Sequence, residues 1–374
     1  MGLSLVVVTA VALGWSPVGR WWRAGVLLTA LSSAHTAGTP AAAAAPAADL
    51  VEEDIDNVAA PGAAAPIRAR IYRRAGRSPV AARGLVVIHG IHHEGMHERR
   101  MIPFARELAR AGLVVLTPEV RDLADYRITR EGVSAIRDAA LYLGQRRDLI
   151  GDSRVGLLGF SFAGGLSLVA ASEPKLAGRL AFVASVGGHH DLGRVLRFLI
   201  ENEVETPSGV DHRKAHDYGL VVLLYGALDR FVPEVDRSAM GDALRAWLRD
   251  KRGDASAAAG RLATDEGRRL WHLVESQRLQ DLAPKLEALV RVRREELAAL
   301  SPSGRLRAVG VPVYLLHGSG DTVIPPGETD WAARELANAD HLALVSPLLE
   351  HVEVNRTAGV GEKLALVRFI AQLL

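Results

Sequence analysis

Ser161 lies in the run Val155-Gly156-Leu157-Leu158-Gly159-Phe160-Ser161-Phe162-Ala163-Gly164-Gly165. A short apolar stretch, a serine between small residues and an alanine-rich continuation read as a buried strand, a tight turn and the start of a helix. Such a reversal brings the backbone before and after the serine close together. Only small side chains then fit two residues before it, at Gly159, and two after it, at Ala163. The serine is forced into a strained conformation at a helix N-terminus, where N–H groups and the positive end of the dipole stabilise developing negative charge. The chemistry this implies is nucleophilic attack. A serine hydroxyl needs a base to take its proton, usually a histidine oriented by a carboxylate.

A second cluster competes with it. His93-Glu94-Gly95-Met96-His97 matches the H-E-x-x-H zinc signature, two histidines one helical turn apart with a glutamate as base, and His89 and His92 lie beside it. It implies a zinc-dependent hydrolase using His93, Glu94 and His97. Gly95 weakens the helix this motif requires. A third ligand is also missing: Glu107 has a different context, and Glu119 follows a strand and a proline. With no cysteine in the chain, disulfides, thiolate catalysis, cysteine–zinc sites and cysteine lipidation are excluded.

The elements that must position these residues alternate. Val51–Asn57 and Ile67–Arg74 alternate apolar with polar, as half-exposed strands do. Leu85–Ile88 is continuously apolar, as expected of a strand buried on both faces of a parallel sheet. Helix Glu98–Ala111, strand Leu113–Leu116, helix Thr129–Leu149, strand Val155–Leu158, the serine helix and strand Leu180–Val186 follow. This order predicts an α/β, doubly wound, mostly parallel sheet with catalytic groups at the C-terminal ends of its strands. Residues 191–305 break the rhythm: they are charged, alanine/leucine-rich and helical in period, with breaks expected at Asp229-Arg230-Phe231 and Gly253-Asp254-Ala255. We read them as a helical lid insertion. Strand Val311–Leu316, helix Gly327–Asn338, strand Leu342–Val345 and helix Val360–Leu374 resume the alternation.

The serine turn resembles the nucleophile elbow of the α/β-hydrolase family, with Ala163 where that family usually has glycine. The resemblance covers residues 49–190 and 306–374 as the core. It implies that the acid and the histidine follow the serine in the chain. Asp321, in Leu315-Leu316-His317-Gly318-Ser319-Gly320-Asp321-Thr322-Val323-Ile324-Pro325, resembles the acid loop, and His351 stands 30 residues later where the family places its base. The implied triad is Ser161, Asp321 and His351. The His89-Gly90-Ile91 turn implies an oxyanion hole made by the backbone N–H groups of Ile91 and Phe162. His92 and His93, with His189 and His190 after the strand that follows the serine helix, are expected to line the substrate pocket. Two other residues imitate triad members: Asp229 follows the apolar run Leu220–Leu224 but lies within the insertion, and His341 precedes the last strand instead of following it. The resemblance is nearest to esterases and dienelactone-hydrolase-like proteins. True dienelactone hydrolases use a cysteine, which this chain lacks. The expected activity is serine ester hydrolysis on a small-molecule acyl substrate with no cofactor; a non-catalytic ligand-binding protein of the same fold is the remaining alternative.

Residues 1–48 differ from the rest. Two apolar runs, Leu3–Trp15 and Ala24–Leu31, are separated by Arg20 and Arg23 and followed by Ser32-Ser33-Ala34 and an alanine/proline linker from Thr39 to Ala48. Neither run reaches the roughly 18 apolar residues of a spanning helix. We expect a signal peptide or membrane anchor, hence an exported or membrane-anchored protein. A formal charge of +2, with lysine only at 175, 214, 251, 285 and 363, gives no basic–aromatic stripe of the kind nucleic-acid binding needs.

Overall fold

The computed structural model describes residues 19, 21, 24–25, 49–59, 66–76, 82–347, 349–350, 353–354 and 360–374. Its strands are β1 (Leu50–Val58), β2 (Ile67–Arg74), β3 (Arg83–Ile88), β4 (Leu113–Pro118), β5 (Val155–Phe160), β6 (Leu180–Val186), β7 (Glu203–Thr206), β8 (Gly209–His212), β9 (Val313–Gly318), β10 (His341–Ser346), β11 (Leu349–Glu350) and β12 (Glu353–Val354). Eight of them form one sheet in the order β1-β2-β4-β3-β5-β6-β9-β10. β4, β3, β5, β6, β9 and β10 pair in parallel, while β2 joins β4 and β1 joins β2 antiparallel.

The helices are α1 (Met101–Arg110), α2 (Arg121–Ala124), α3 (Arg130–Gln145), α4 (Phe162–Ala171), α5 (Leu192–Glu201), α6 (Asp217–Tyr225), α7 (Glu234–Leu248), α8 (Arg252–Ala259), α9 (Asp265–Glu275), α10 (Ala283–Val292), α11 (Arg294–Ala299), α12 (Gly327–Glu335) and α13 (Val360–Leu373). Leu85 and Val87 of β3 belong to one buried cluster with Leu108 of α1 and Phe369 of α13, while Val86 and Ile88 belong to another with Ile136 of α3 and Leu166 of α4. Successive residues of a strand face opposite sides, so helices on both sides require an unbroken apolar run. The doubly wound arrangement expected from the sequence is the one observed.

Local chemistry sets the element ends. Thr129 caps α3, its hydroxyl accepting from Gly132 N–H at 3.1 Å. The Glu98 carboxylate accepts from Met101 N–H at 3.1 Å, and α1 begins there instead of at Glu98. Between β6 and β9 the chain is mainly helical, with two departures from expectation. β7 and β8 form an antiparallel hairpin, and Gly253-Asp254-Ala255 lies within α8. The break falls instead at Arg249–Lys251, where Asp250 takes φ +57°. Of the N-terminal segment, Ala24 is buried in the cluster that holds Leu50 and Tyr72; most of the expected signal or anchor lies outside the described residues. No helix among the described residues is long and apolar enough to cross a membrane.

Candidate active site

β5 delivers Ser161 directly into α4. Ser161 has φ +55° and ψ −134°, a region costing a non-glycine residue on the order of 1–3 kcal/mol. Its own backbone holds the turn: Ser161 N–H donates to Val186 O at 2.7 Å and Gly164 N–H donates to Ser161 O at 2.8 Å. A side chain at Gly159 would run into the Ala163 carbonyl and the Ser167 hydroxyl, which is why no residue larger than glycine fits there. Phe162 is the first residue of α4, so its N–H has no carbonyl within the helix to bond. Ser161 is 6% exposed.

The turn after β3 lies against this serine. A Cβ on Gly90 would stand 3.4 Å from Ser161 Cβ. His89 is buried and locks the turn: Val120 N–H donates to His89 Nε2 at 3.1 Å, so Nδ1 carries the proton and donates to Gly90 O at 2.8 Å. Because the peptide is planar, fixing the Gly90 carbonyl also fixes the direction of the Ile91 N–H. Burial pushes His89 below the usual histidine range, partly offset by its bond to Gly90 O, and keeps it neutral for this role. On the far side, Tyr218 Oη donates to Ile91 O at 3.1 Å.

Asp321 follows β9 and is fully buried. Its Oδ1 accepts from Val323 N–H at 2.8 Å and Ile324 N–H at 3.0 Å, and Oδ2 lies 3.4 Å from His317 Nε2. His317 is itself held, Nε2 2.9 Å from Ile324 O and Nδ1 2.8 Å from Thr329 Oγ1. Residue 351 lies outside the described residues. Nearby, Ser319 N–H donates to Ser346 O at 3.0 Å, and Leu349 is buried with Leu316 of β9. His341 pairs with Val313, at the opposite end of β9 from Gly318, and Asp229 sits on a turn inside the insertion.

The four histidines expected to line the pocket separate into two pairs. His92 and His93 follow Ile91 directly, half-buried, with rings 4.6 Å apart. Burial lowers the pKa of both. The α-helix the zinc motif requires does not form. Gly95 has φ +54°, and a Cβ there would stand 2.6 Å from Glu119 Cδ. Glu119 also accepts from Met96 N–H at 2.8 Å, leaving Gly95–His97 a single 3₁₀ turn. Among the described residues no group of three or more histidine, aspartate or glutamate side chains is arranged to hold a metal. His189 and His190 are engaged within the protein. His189 is buried with Nε2 2.9 Å from Leu300 O. His190 Nε2 lies 2.8 Å from Glu335 Oε2, and its Nδ1 lies 3.1 Å from Arg194. Both are thus bonded within the protein, His189 to the insertion and His190 to Arg194 and α12.

No protein-family model and no curated protein matches the chain. Among solved structures, it is similar to the rice cell wall degrading esterase LipA from Xanthomonas oryzae. The two share 13% identity over 87% of this chain and 86% of that one, with a TM-score of 0.51. The chain has the α/β-hydrolase fold. It is also similar to a Pyrobaculum calidifontis esterase at 16% identity, covering 95% of this chain and 90% of that one, TM-score 0.47. A third similar structure is the Pyrococcus horikoshii acylaminoacyl peptidase, at 12% identity and TM-score 0.47; 87% of this chain is covered, and it spans only 41% of that longer one. In this α/β-hydrolase fold the loops after β3, β5 and β9 open on one edge of the sheet, bringing Ile91, Ser161 and Asp321 to the C-terminal ends of parallel strands. Sequence reasoning missed Tyr218, whose contact with Ile91 crosses 127 positions and leaves no local pattern.

Proposed function

We propose that the protein is a serine hydrolase that cleaves an ester-type bond through an acyl-enzyme on Ser161. The observation that carries this reading is the strained Ser161 at the β5–α4 junction. In this reading His351 takes the Ser161 proton as Oγ attacks the acyl carbonyl, and the Ile91 and Phe162 N–H groups hold the oxyanion. The C–O bond to the leaving alcohol then breaks, and the imidazolium returns its proton to that alcohol. Water attacks the acyl-enzyme with the same base, releasing the acid and restoring the serine. Asp321 orients the imidazole and offsets its charge; its two backbone donors fix the carboxylate. The insertion between β6 and β9 acts as a lid whose side chains select a small-molecule acyl group, and the N-terminal segment exports or anchors the chain. LipA's description as an esterase favours esters as the substrate class. A panel of p-nitrophenyl esters of rising acyl length tests the proposal. Turnover is expected in the native chain and lost at least 1,000-fold in Ser161→Ala. Turnover that survives Ser161→Ala but disappears with EDTA would overturn it in favour of the zinc reading.

A further inference from the structure

A short segment of the insertion is bonded to both loops that flank Ser161. Arg213 N–H donates to Asn202 O at 2.9 Å and Ala215 N–H donates to Asn202 Oδ1 at 2.8 Å, rooting the segment at the end of α5. From there it meets the acid loop: Arg213 Nη1 donates to Ser319 O at 2.5 Å, and His216 N–H donates to Thr322 O at 2.8 Å. His216 Nδ1 then caps α6 by accepting from Tyr218 N–H at 3.1 Å, and the Tyr218 hydroxyl reaches Ile91 O. β3, β5, β6 and β9 are consecutive neighbours in the sheet. The strap therefore passes over the ends of β5 and β6, a distance of about 14 Å at ordinary strand spacing.

We infer that residues 213–218 form a brace across the site, with Tyr218 a positioning residue for the oxyanion turn. The catalytic part rests on the serine-hydrolase reading. His89 fixes the Gly90 carbonyl, and hence the peptide carrying the Ile91 N–H; Tyr218 fixes the next carbonyl, that of Ile91. Both peptide planes around Ile91 are thus held, one from the core and one from the insertion. Burial raises the Tyr218 pKa far above the ordinary phenol value, so the hydroxyl keeps its proton and donates throughout the neutral range. Tyr218 touches no reacting atom. It ties the seating of the insertion to the donor that meets the oxyanion.

Tyr218→Phe keeps the ring and removes only the hydroxyl. Losing one neutral hydrogen bond that leaves a carbonyl unpaired corresponds to a fall of about 5- to 30-fold. That loss is expected in kcat, with KM within about twofold and an unchanged pH profile. Binding of a boronic acid that mimics the tetrahedral oxyanion should weaken in the same proportion. Amide exchange of the peptide spanning residues 89–96, followed by mass spectrometry, should accelerate by a similar factor. Unchanged exchange together with unchanged kcat overturns the brace. Faster exchange in a chain with no Ser161-dependent hydrolysis leaves the brace standing and overturns the serine-hydrolase reading.

Discussion

Gly159→Ala tests the serine turn with the smallest possible change. The added Cβ would sit 2.5 Å from Ser167 Oγ and 2.6 Å from Ala163 C, with the Ala163 carbonyl oxygen closer still. Carbon atoms in contact prefer about 3.5–4.0 Å, so β5 and α4 must separate by roughly 1 Å. Overpacking of this kind costs about 1–3 kcal/mol, which in a chain of this size lowers Tm by about 1–4 °C. The larger effect is on rate, since a 1 Å misplacement of reacting groups costs about 100-fold. Gly253→Ala is the control: in α8, with nothing within 4 Å of the new Cβ, it should be neutral or stabilising by up to about 1 kcal/mol. Differential scanning fluorimetry and kcat on a p-nitrophenyl ester read both quantities. A Gly159→Ala protein with native Tm and a rate within twofold would refute the close-approach argument.

Three further outcomes follow from the same geometry. Glu328 is 1% exposed and accepts from His190 N–H, Asp191 N–H and the Arg194 guanidinium, at 2.8, 2.7 and 2.6 Å. Glu328→Ala leaves Arg194 buried and unpaired and should cost about 3–5 kcal/mol by chemical denaturation; a loss under 1 kcal/mol contradicts this. His89 has its pKa depressed by burial. The unfolded chain therefore binds a proton that the folded chain refuses, and stability falls as pH drops below about 6.5. Tm measured from pH 8 to pH 5 should decline less in His89→Gln than in the native chain, and equal slopes would count against it. Asp321→Asn should lower kcat by about 10³- to 10⁴-fold with little change in KM, and a loss under tenfold would remove Asp321 from the proposed triad.

Much of the core was legible because burial on two faces writes itself into composition. Leu180–Val186 coincides with β6 end to end, and Leu85–Ile88 falls within β3. Ser161 could be singled out because a tight strand-to-helix reversal demands small residues locally. What stayed hidden in the sequence shares a non-local cause. The H-E-x-x-H segment looks like a metal motif until Glu119, from beyond the next strand, takes hold of Met96 and closes over Gly95. The partners of His190, Arg194, Glu328 and Glu335, are united only by the fold. On its sequence pattern alone α3 runs on to Leu149. It stops at Gln145, and Ile150 is buried instead in the core beneath β3. The β7–β8 hairpin did carry a signal, the alternation Glu203-Val204-Glu205-Thr206, hidden by its helical surroundings.

The most direct measurement is to quench the native chain with excess ester in the steady state, digest it and map the acylated peptide by mass spectrometry. One acyl group is expected, on Ser161, accumulating in His351→Ala only after long incubation and absent from Ser161→Ala. Hydrolysis at the native rate with no adduct on Ser161, or an adduct on another residue that turns over as fast as product appears, would contradict it.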